Sequence, residues 1–338
     1  MNGVAGTYAR IAELPLEIDG YRLERLEAPV TRDLTRVTTL VRLAGSGEEG
    51  LGEDVTWYAE AHDREQAAGP ILPLGGSWTL ESFSSALRID EPHKRWAYES
   101  AALDLALRQA GQSLADALGR PPRPVTFLVS PGLGDPPSAD ALQRRLELYP
   151  ELRFKLDPSS EWTDELVRAL AATETVDIVD YKAFYADPDS APPDVALYRR
   201  IAEGFPEAWL EDPALTKDTD EILRPHRDRI TWDAPIHSVA DVEGLSFSPR
   251  TLNVKPSRFG FLRELFEFYD YCAAREIGLY GGGMFELGPG RGQIQHLASL
   301  FNADAPNDVA PGAYNEREPR PGLPSSPLPA ASNEPGFR

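Results

Sequence analysis

The chain has 338 residues, 41% of them hydrophobic and 26% charged, and is long enough for one large domain and a smaller one. Its net charge of −20 at pH 7 argues against nucleic acid or an anionic membrane surface as a partner, because both would repel it. A single cysteine excludes an intrachain disulfide and a cysteine-based zinc site, and the sequence shows no signal segment or long apolar run, so we expect a cytoplasmic location.

The first third of the chain is predicted to form a small antiparallel sheet followed by a helix. Residues 19–58 alternate apolar and polar positions, and 35–42 is the clearest strand because β-branched residues dominate it. Apolar residues recur at helical spacing over 96–118, and Gly119, followed by two prolines, predicts a helix end and a linker. We therefore predict an α+β domain over residues 1–122.

From residue 123 onward, short apolar strands alternate with helices. This alternation predicts parallel strands covered by helices, and closure of the sheet gives an α/β fold of the (β/α)8, or TIM-barrel, type over residues 123–315. A tail rich in proline, serine and alanine follows at 316–338, and we expect it to be extended, either wrapped over the surface or disordered. The predicted strands span residues 125–130, 152–156, 176–181, 208–211, 230–232, 252–255 and 278–281, with an eighth at 307–310.

Five of the predicted strands carry a charged side chain at or near their carboxyl end, which is difficult to explain as part of an apolar core. Along the chain these residues lie roughly 22 to 31 positions apart, about the length of one strand–helix unit of a barrel. Because parallel strands of a barrel end at one mouth, where such enzymes place their chemistry, we expect these side chains to converge. They are Lys155, Asp180, Glu211, Asp233 and Lys255.

Three carboxylates that converge repel each other unless a cation joins them, and oxygen-only ligands suit a hard ion such as Mg²⁺. We therefore predict Asp180, Glu211 and Asp233 as metal ligands, although any one of them alone could be a solvated strand end. Lys155 and Lys255 are predicted to be the acid and base that act on a proton next to a substrate carboxylate, with surface lysines as the alternative. A lysine base needs a lowered pKa, which a nearby metal ion and a second cation would provide.

This ordered set resembles the enolase superfamily, and within it the muconate-lactonizing-enzyme subgroup, which includes o-succinylbenzoate synthases and dipeptide epimerases. In those enzymes a Lys-x-Lys motif ends the second strand, and Asp, Glu, Asp and Lys end the next four, the order found here. Gly50-Leu-Gly52-Glu53 is similar to the glycine-rich end of the subgroup's capping-domain sheet. The resemblance implies a capping domain and a Mg²⁺-dependent lyase or isomerase that acts on a small carboxylate by dehydration, epimerisation or cycloisomerisation. A homo-oligomer is compatible with it.

Some residues depart from the subgroup's pattern. Arg153 replaces the first lysine of the Lys-x-Lys motif, and Lys182 stands where the subgroup usually has an Asn two residues after its Asp. Strand alternation places Arg153 on the face of Lys155 and Lys182 on the face of Asp180, so we predict both as substrate-binding residues. Glu286, after the glycine-rich seventh strand, is a third candidate, and for Lys182 and Glu286 a structural salt bridge is the alternative.

Two other classes of function stay open at this point. A barrel of this kind could bind an anionic ligand or partner without enolisation, the ammonium of Lys182 replacing the charge of the metal. A metal-dependent hydrolase is a third alternative, although such a site usually needs histidine ligands and no histidine stands at a predicted strand end. The glycine-rich segment 288–292, which precedes a predicted helix, could cradle an anion at the helix N-terminus or simply turn the chain.

Overall fold

The computed structural model describes residues 6–30, 34–185 and 192–338, so residues 1–5 and 31–33 of the predicted N-terminal domain lie outside it.

The predicted antiparallel sheet is confirmed in the N-terminal part. The strands there are β1 (Pro15–Ile18), β2 (Gly20–Pro29), β3 (Thr35–Gly45), β4 (Glu48–Asp54) and β5 (Gly76–Thr79). The order β2-β3-β4 forms one antiparallel sheet, and β1 pairs with β5 in another.

The helical structure predicted over 96–118 is present as two helices, because the chain turns at Gly111. Helices α1 (Ala59–Ala68) and α2 (Leu80–Ala86) precede α3 (Pro92–Gln109) and α4 (Leu114–Leu118). Gly111 takes a φ of +64°, a left-handed conformation that ends α3, and Ser113 then caps α4 by accepting a hydrogen bond from the Asp116 N–H at 3.1 Å. Leu114 and Leu118 are buried as well, so the apolar spacing continues across the break.

Helix α3 lies directly against β4, and two glycines make this approach possible. A β-carbon at Gly50 would lie 2.1 Å from the carbonyl oxygen of Ala101, and one at Gly52 would lie 1.9 Å from that of Ala97. Any side chain at these positions would force the helix away from the sheet. The glycine-rich end of β4 is therefore explained by helix–sheet packing.

The barrel strands are β6 (Phe154–Leu156), β7 (Val176–Asp180), β8 (Trp209–Glu211), β9 (Ile230–Thr231), β10 (Thr251–Val254) and β11 (Gly278–Gly281). They alternate with α5 (Asp140–Leu148), α6 (Asp164–Ala171), α7 (Val195–Gly204), α8 (Lys217–Leu223), α9 (Val239–Glu243), α10 (Pro256–Phe259), α11 (Leu262–Ala274) and α12 (Pro289–Phe301). One parallel sheet has the order β6-β7-β8-β9, and β10 pairs in parallel with β11.

Single backbone bridges close these two sheets into a ring, which confirms the barrel-type fold. The Asn253 N–H donates to the Trp232 carbonyl at 3.0 Å and joins β9 to β10. The predicted strands 125–130 and 307–310 form no regular strand in the described structure, but they bridge each other and also pair with β6 and with the residue that follows β11. Each of the eight predicted positions therefore takes part in the ring.

An apolar layer fills the inside of the ring below the strand ends. Leu128, Ile178 and Tyr280 are fully buried there, and Trp209 and Ala305 pack against them. Such filling makes the barrel a packed core that is closed to water from below. Charged groups at the carboxyl ends of the strands therefore lie on a dry apolar floor.

The N-terminal part and the barrel are joined by a buried carboxylate. Glu53, near the end of β4, accepts hydrogen bonds from the N–H groups of Leu287, Gly288 and Gly290 at 2.6, 2.9 and 3.0 Å. These N–H groups lie at the start of α12, where a helix favours negative charge. The glycine-rich segment 288–292 thus cradles an anion, and that anion is a side chain of the same chain.

The C-terminal tail packs against both parts of the molecule. Leu328 forms an antiparallel bridge with Val125, and the Phe337 N–H donates to the Asp104 carboxylate at 2.8 Å. The ring of Phe337 is fully buried and lies edge-on to Trp96, with 6.3 Å between ring centroids.

Among the described residues, none of the helices combines the length and apolar character needed to span a membrane.

Replacing Glu53 with alanine should lower the free energy of unfolding by about 1–3 kcal/mol or more, because it leaves buried N–H groups without an acceptor. Urea unfolding followed by circular dichroism measures the change. Glu48→Ala, an exposed position on the same strand, serves as the control and should change stability by less than about 0.5 kcal/mol. Equal stability of the two variants would contradict the proposed role of Glu53 in joining the two parts.

Candidate active site

The five charged residues predicted from the sequence meet at one mouth of the barrel. Asp180 and Glu211 are the last residues of β7 and β8, Lys155 lies within β6, and Asp233 and Lys255 follow β9 and β10. Each of the five is at most 9% exposed. Because a buried charge without a partner is costly, the way in which these groups pair determines what the site can do.

Lys155 contacts three carboxylates of the cluster. Its ammonium is 2.5 Å from Glu211 Oε1, 3.0 Å from Asp180 Oδ2 and 3.6 Å from Asp308 Oδ2. Burial alone would lower the pKa of Lys155, but the attraction of Glu211, Asp180 and Asp308 outweighs it and holds the pKa well above its usual value. Lys155 is therefore an ammonium ion in this structure, whereas the sequence argument requires a lowered pKa for a lysine base.

Asp233 is held by two cations on the opposite side of the acidic strands. Lys255 Nζ lies 2.8 Å from Asp233 Oδ2, and Arg258 Nη1, one turn further along in α10, lies 2.7 Å from Asp233 Oδ1. Burial alone would raise the pKa of Asp233, but Lys255 and Arg258 outweigh it and lower the pKa below the usual range. Both oxygens of this carboxylate are thus occupied by cations of the chain.

Asp180 is held by two ammonium groups at once. Its Oδ2 lies 3.0 Å from Lys155 Nζ and 2.7 Å from Lys182 Nζ, while its Oδ1 accepts the backbone N–H of Lys182 at 2.9 Å. Burial alone would raise the pKa of Asp180, but Lys155 and Lys182 lower it to about 2. The structure therefore places Lys182 at the acidic cluster, where its second carboxylate partner is Asp157 at 3.4 Å.

Arg153 is not brought to the cluster, and its role in substrate binding stays a prediction. Its guanidinium pairs with Asp177, with Nε 3.1 and 3.0 Å from the two carboxylate oxygens, and donates to the Glu174 carbonyl at 2.7 Å. The register between β6 and β7 shifts at this point, so that Asp177 becomes an extra residue opposite the step from Phe154 to Lys155. Simple strand alternation therefore does not decide the contacts of Arg153.

Glu286 also has partners outside the cluster. Its carboxylate accepts the Met284 N–H at 2.6 Å and forms an ion pair with Arg291 at 2.9 Å. These residues belong to the segment between β11 and the first turn of α12, next to the site of Glu53. The described contacts thus favour the structural salt bridge that the sequence left open for Glu286.

Four charged residues of the site, Asp157 among them, were not among the site residues predicted from the sequence. Asp212 accepts the N–H groups of Asp233 and Ala234 at 2.8 and 2.9 Å, so it ties the end of β8 to the end of β9. Asp308 reaches Lys155 from the predicted eighth strand, and Arg258 reaches Asp233 from α10. The signals were present, since Asp212 adjoins Glu211 and Asp308 lies within 307–310.

The donor set fits a hard divalent cation. Carboxylate oxygens of Asp180, Glu211 and Asp212 lie within 4.8 Å of one another, and all three residues are buried. Asp233, the third predicted ligand, is not in this group. Six carboxyl groups face four cationic side chains at this mouth, so the acidic groups outnumber the cations. They are Asp157, Asp180, Glu211, Asp212, Asp233 and Asp308, against Lys155, Lys182, Lys255 and Arg258.

The order of the strands also fixes how the two lysines relate to the acidic groups. Along the ring, β7, β8 and β9 lie between β6, which carries Lys155, and β10, which precedes Lys255. The two ammonium groups therefore flank the row of carboxylates. Such an arrangement can place a proton donor or acceptor at either end of a carboxylate substrate held between them.

Two family models match the chain. The DUF8230 N-terminal domain matches residues 9–117 and the DUF8230 C-terminal domain matches residues 121–316, both described as domains of unknown function. The chain is 28% identical to an N-succinylamino acid racemase of Amycolatopsis sp, over 87% of this chain and 86% of that protein. It is also 28% identical to an o-succinylbenzoate synthase of Geobacillus kaustophilus, over 87% and 84%.

Solved structures show the same fold. A muconate cycloisomerase from Pseudomonas fluorescens superposes with a TM-score of 0.71 at 19% identity, covering 96% of each chain. A dipeptide epimerase from Methylococcus capsulatus, complexed with a Mg ion, gives 0.70 at 20% identity, covering 95% of this chain and 99% of that one. The resemblance to the muconate-lactonizing-enzyme subgroup, stated from the charged strand ends, is confirmed by these relatives and neighbours together.

Replacing Lys155 with methionine should lower the free energy of unfolding by about 3–5 kcal/mol without a divalent ion, because it leaves buried carboxylates uncompensated. Denaturant unfolding of chelator-treated protein measures this. Arg153→Met is the matched control in the same segment and should cost about 1 kcal/mol or less, since its ion pair is half exposed. Similar losses in both variants would show that Lys155 does not hold the cluster together.

Proposed function

The chain belongs to the DUF8230 family, and from its racemase and synthase relatives and its acidic cluster we propose that it is a Mg²⁺-dependent lyase or isomerase. Its reaction would begin with removal of the proton next to a substrate carboxylate. One observation carries the proposal: buried carboxylates at the ends of three successive parallel strands are flanked by Lys155 and Lys255. Several titratable groups buried together at the mouth of a barrel are typical of a functional site.

Asp180 and Glu211 would hold the metal, with a third oxygen from Asp233, as the resemblance implies, or from Asp212, which lies nearest to the other two. When bound, Mg²⁺ would polarise the substrate carboxylate and offset the carboxylates that keep the pKa of Lys155 high. Tyr280 donates a hydrogen bond to Glu211 Oε2 at 2.6 Å and so fixes the orientation of that carboxylate from the apolar floor.

Lys155 and Lys255 are proposed as the acid and base of the reaction. Each ammonium lies at one end of the row of carboxylates, so each can reach a different face of a substrate bound between them. In its protonated state Lys155 would stabilise negative charge that develops on the substrate or return a proton to it. Lys182, at the edge of the cluster, stays a candidate for contact with the substrate, and for Arg153 and Glu286, whose partners lie outside the cluster, this role stays a prediction of the sequence.

The substrate is proposed to be a small carboxylate with an acidic α-proton. The names of the relatives suggest the first compounds to test, which are N-succinylated amino acids.

A cytoplasmic location and a homo-oligomeric state stay predictions of the sequence. The same holds for the division into a capping domain at 1–122, a barrel at 123–315 and a tail at 316–338.

A second candidate is a barrel that binds an anionic ligand without enolisation. One observation favours it: three carboxylates at the centre of the site, Asp180, Glu211 and Asp233, each already contact a cationic side chain. Such a site needs no metal to remain folded. The two candidates differ in their response to Mg²⁺, because only a metal-binding site is stabilised by it.

Wild-type protein with Mg²⁺ should exchange the α-proton of N-succinyl-L-phenylalanine or its D enantiomer for deuterium in D₂O, and a chelator should stop the exchange. Lys255→Arg and Lys155→Arg keep the positive charge but cannot accept a proton, so each should slow exchange of at least one enantiomer by at least about 100-fold. Proton NMR measures the exchange, and circular dichroism checks that the variants are folded. Full exchange in both variants would disprove the lysine mechanism.

A further inference from the structure

Lys182 holds Asp180 in two ways. Its ammonium lies 2.7 Å from Asp180 Oδ2, and its backbone N–H donates to Asp180 Oδ1 at 2.9 Å. The residue has a φ of +51°, a left-handed conformation that is uncommon for a side chain of this kind and persists where surrounding contacts hold it. This backbone turn directs the side chain of Lys182 back onto the end of the strand that it has just left.

The acceptor capacity of Asp180 is largely used. A carboxylate offers about four lone-pair sites, and here two ammonium groups share Oδ2 while a backbone N–H takes one site of Oδ1. A metal ion that binds Asp180 through Oδ2 must therefore displace one of the two ammonium groups. The structure indicates which of them would leave.

Lys155 cannot leave at low cost, whereas Lys182 can. The side chain of Lys155 is 3% exposed and has Glu211 and Asp308 as further partners, so its release would bury an ammonium among fewer partners. The side chain of Lys182 is 43% exposed, and its other carboxylate partner, Asp157, is itself half exposed. An ammonium that moves from Asp180 toward Asp157 regains water and keeps an acidic neighbour.

The use of lysine in this chain is unusual and supports a special role. Of the 34 basic residues only five are lysines, and three of the five, Lys155, Lys182 and Lys255, lie at this mouth. An ammonium is a compact point charge on a flexible stem, unlike the planar guanidinium of arginine. It can therefore occupy a position next to a carboxylate oxygen and leave it again without rearranging the strands.

We propose that Lys182 is a tethered counter-ion that competes with the divalent metal for Asp180, so that metal binding requires this ammonium to move away from the cluster. The inference rests on the proposed function, because it presumes that a metal binds here. It explains how an acidic cluster of this size stays folded without metal. It also predicts that the chain binds Mg²⁺ more weakly than its carboxylates alone would allow.

Removing the charge of Lys182 should tighten Mg²⁺ binding. Without it, six carboxylates face three cations, and no ammonium has to be displaced from Asp180. Lys182→Met and Lys182→Asn should each lower the dissociation constant for Mg²⁺ at least 10-fold. Lys182→Arg, which keeps the charge, should stay within a few-fold of the wild type.

Isothermal titration of chelator-treated protein with MgCl₂ measures the affinity, and the rise in melting temperature with Mg²⁺ provides a second readout without any substrate. Lys217→Met, an exposed lysine at the start of α8, is the matched control for the change in net charge and should bind Mg²⁺ like the wild type. Glu211→Gln in the Lys182→Met background should abolish the tightened binding, which would locate the metal at this cluster.

Equal or weaker Mg²⁺ binding by Lys182→Met, with normal binding by the wild type, would overturn the inference and leave the proposed function intact. A lack of Mg²⁺ binding by the wild type and by every Lys182 variant would overturn both. Binding by Lys182→Met and not by the wild type would support the competition while showing that the native chain does not work with Mg²⁺. Far-ultraviolet circular dichroism of each variant excludes loss of folding as the cause.

Discussion

The site depends on the neutralisation of crowded carboxylates by cations of the same chain. Asp180, Glu211 and Asp308 lie within 3.6 Å of a single buried ammonium, that of Lys155. Without this charge the buried carboxylates would repel one another above the apolar floor. The chain can therefore build an acidic mouth only because lysines at neighbouring strand ends accompany the acids. The same pairing keeps Lys155 protonated and makes any metal ion a competitor for its partners.

The rest of the fold places this cluster and closes its surroundings. Alternating strands and helices bring the strand ends to one mouth, and Tyr280 reaches from the apolar interior to fix Glu211. The N-terminal part is fixed to the barrel by Glu53, which occupies the start of α12, the helix that follows the seventh strand. The N-terminal end of α12 therefore binds a carboxylate of the same chain, and this contact joins the two parts of the molecule. The acidic cluster is left as the polar centre of the barrel mouth.

Local pattern in the sequence was sufficient for the type of fold and for the centre of the site. Apolar segments separated by helical stretches indicate parallel strands, because each strand must be covered and followed by a helix of its own. A charged side chain at the end of an otherwise apolar strand is expected to lie at the mouth of the barrel, because the interior is apolar. For these reasons Lys155, Asp180, Glu211, Asp233 and Lys255 could be named in advance, and the structure brings them together. The resemblance to a known subgroup rested on the same residues.

Only the tertiary structure decided which groups pair, because pairing depends on register and backbone conformation between segments distant in sequence. Arg153 pairs with Asp177, the extra residue of β7, although strand alternation alone predicts it beside Lys155. Asp308 enters the site from an isolated bridge and Arg258 from a helical turn, and neither position in the sequence indicates the partner, Lys155 for Asp308 and Asp233 for Arg258. The left-handed turn at Lys182 folds its ammonium back onto Asp180. The sequence therefore determined which charges reach the mouth, and the packing of the chain determined which of them neutralise one another.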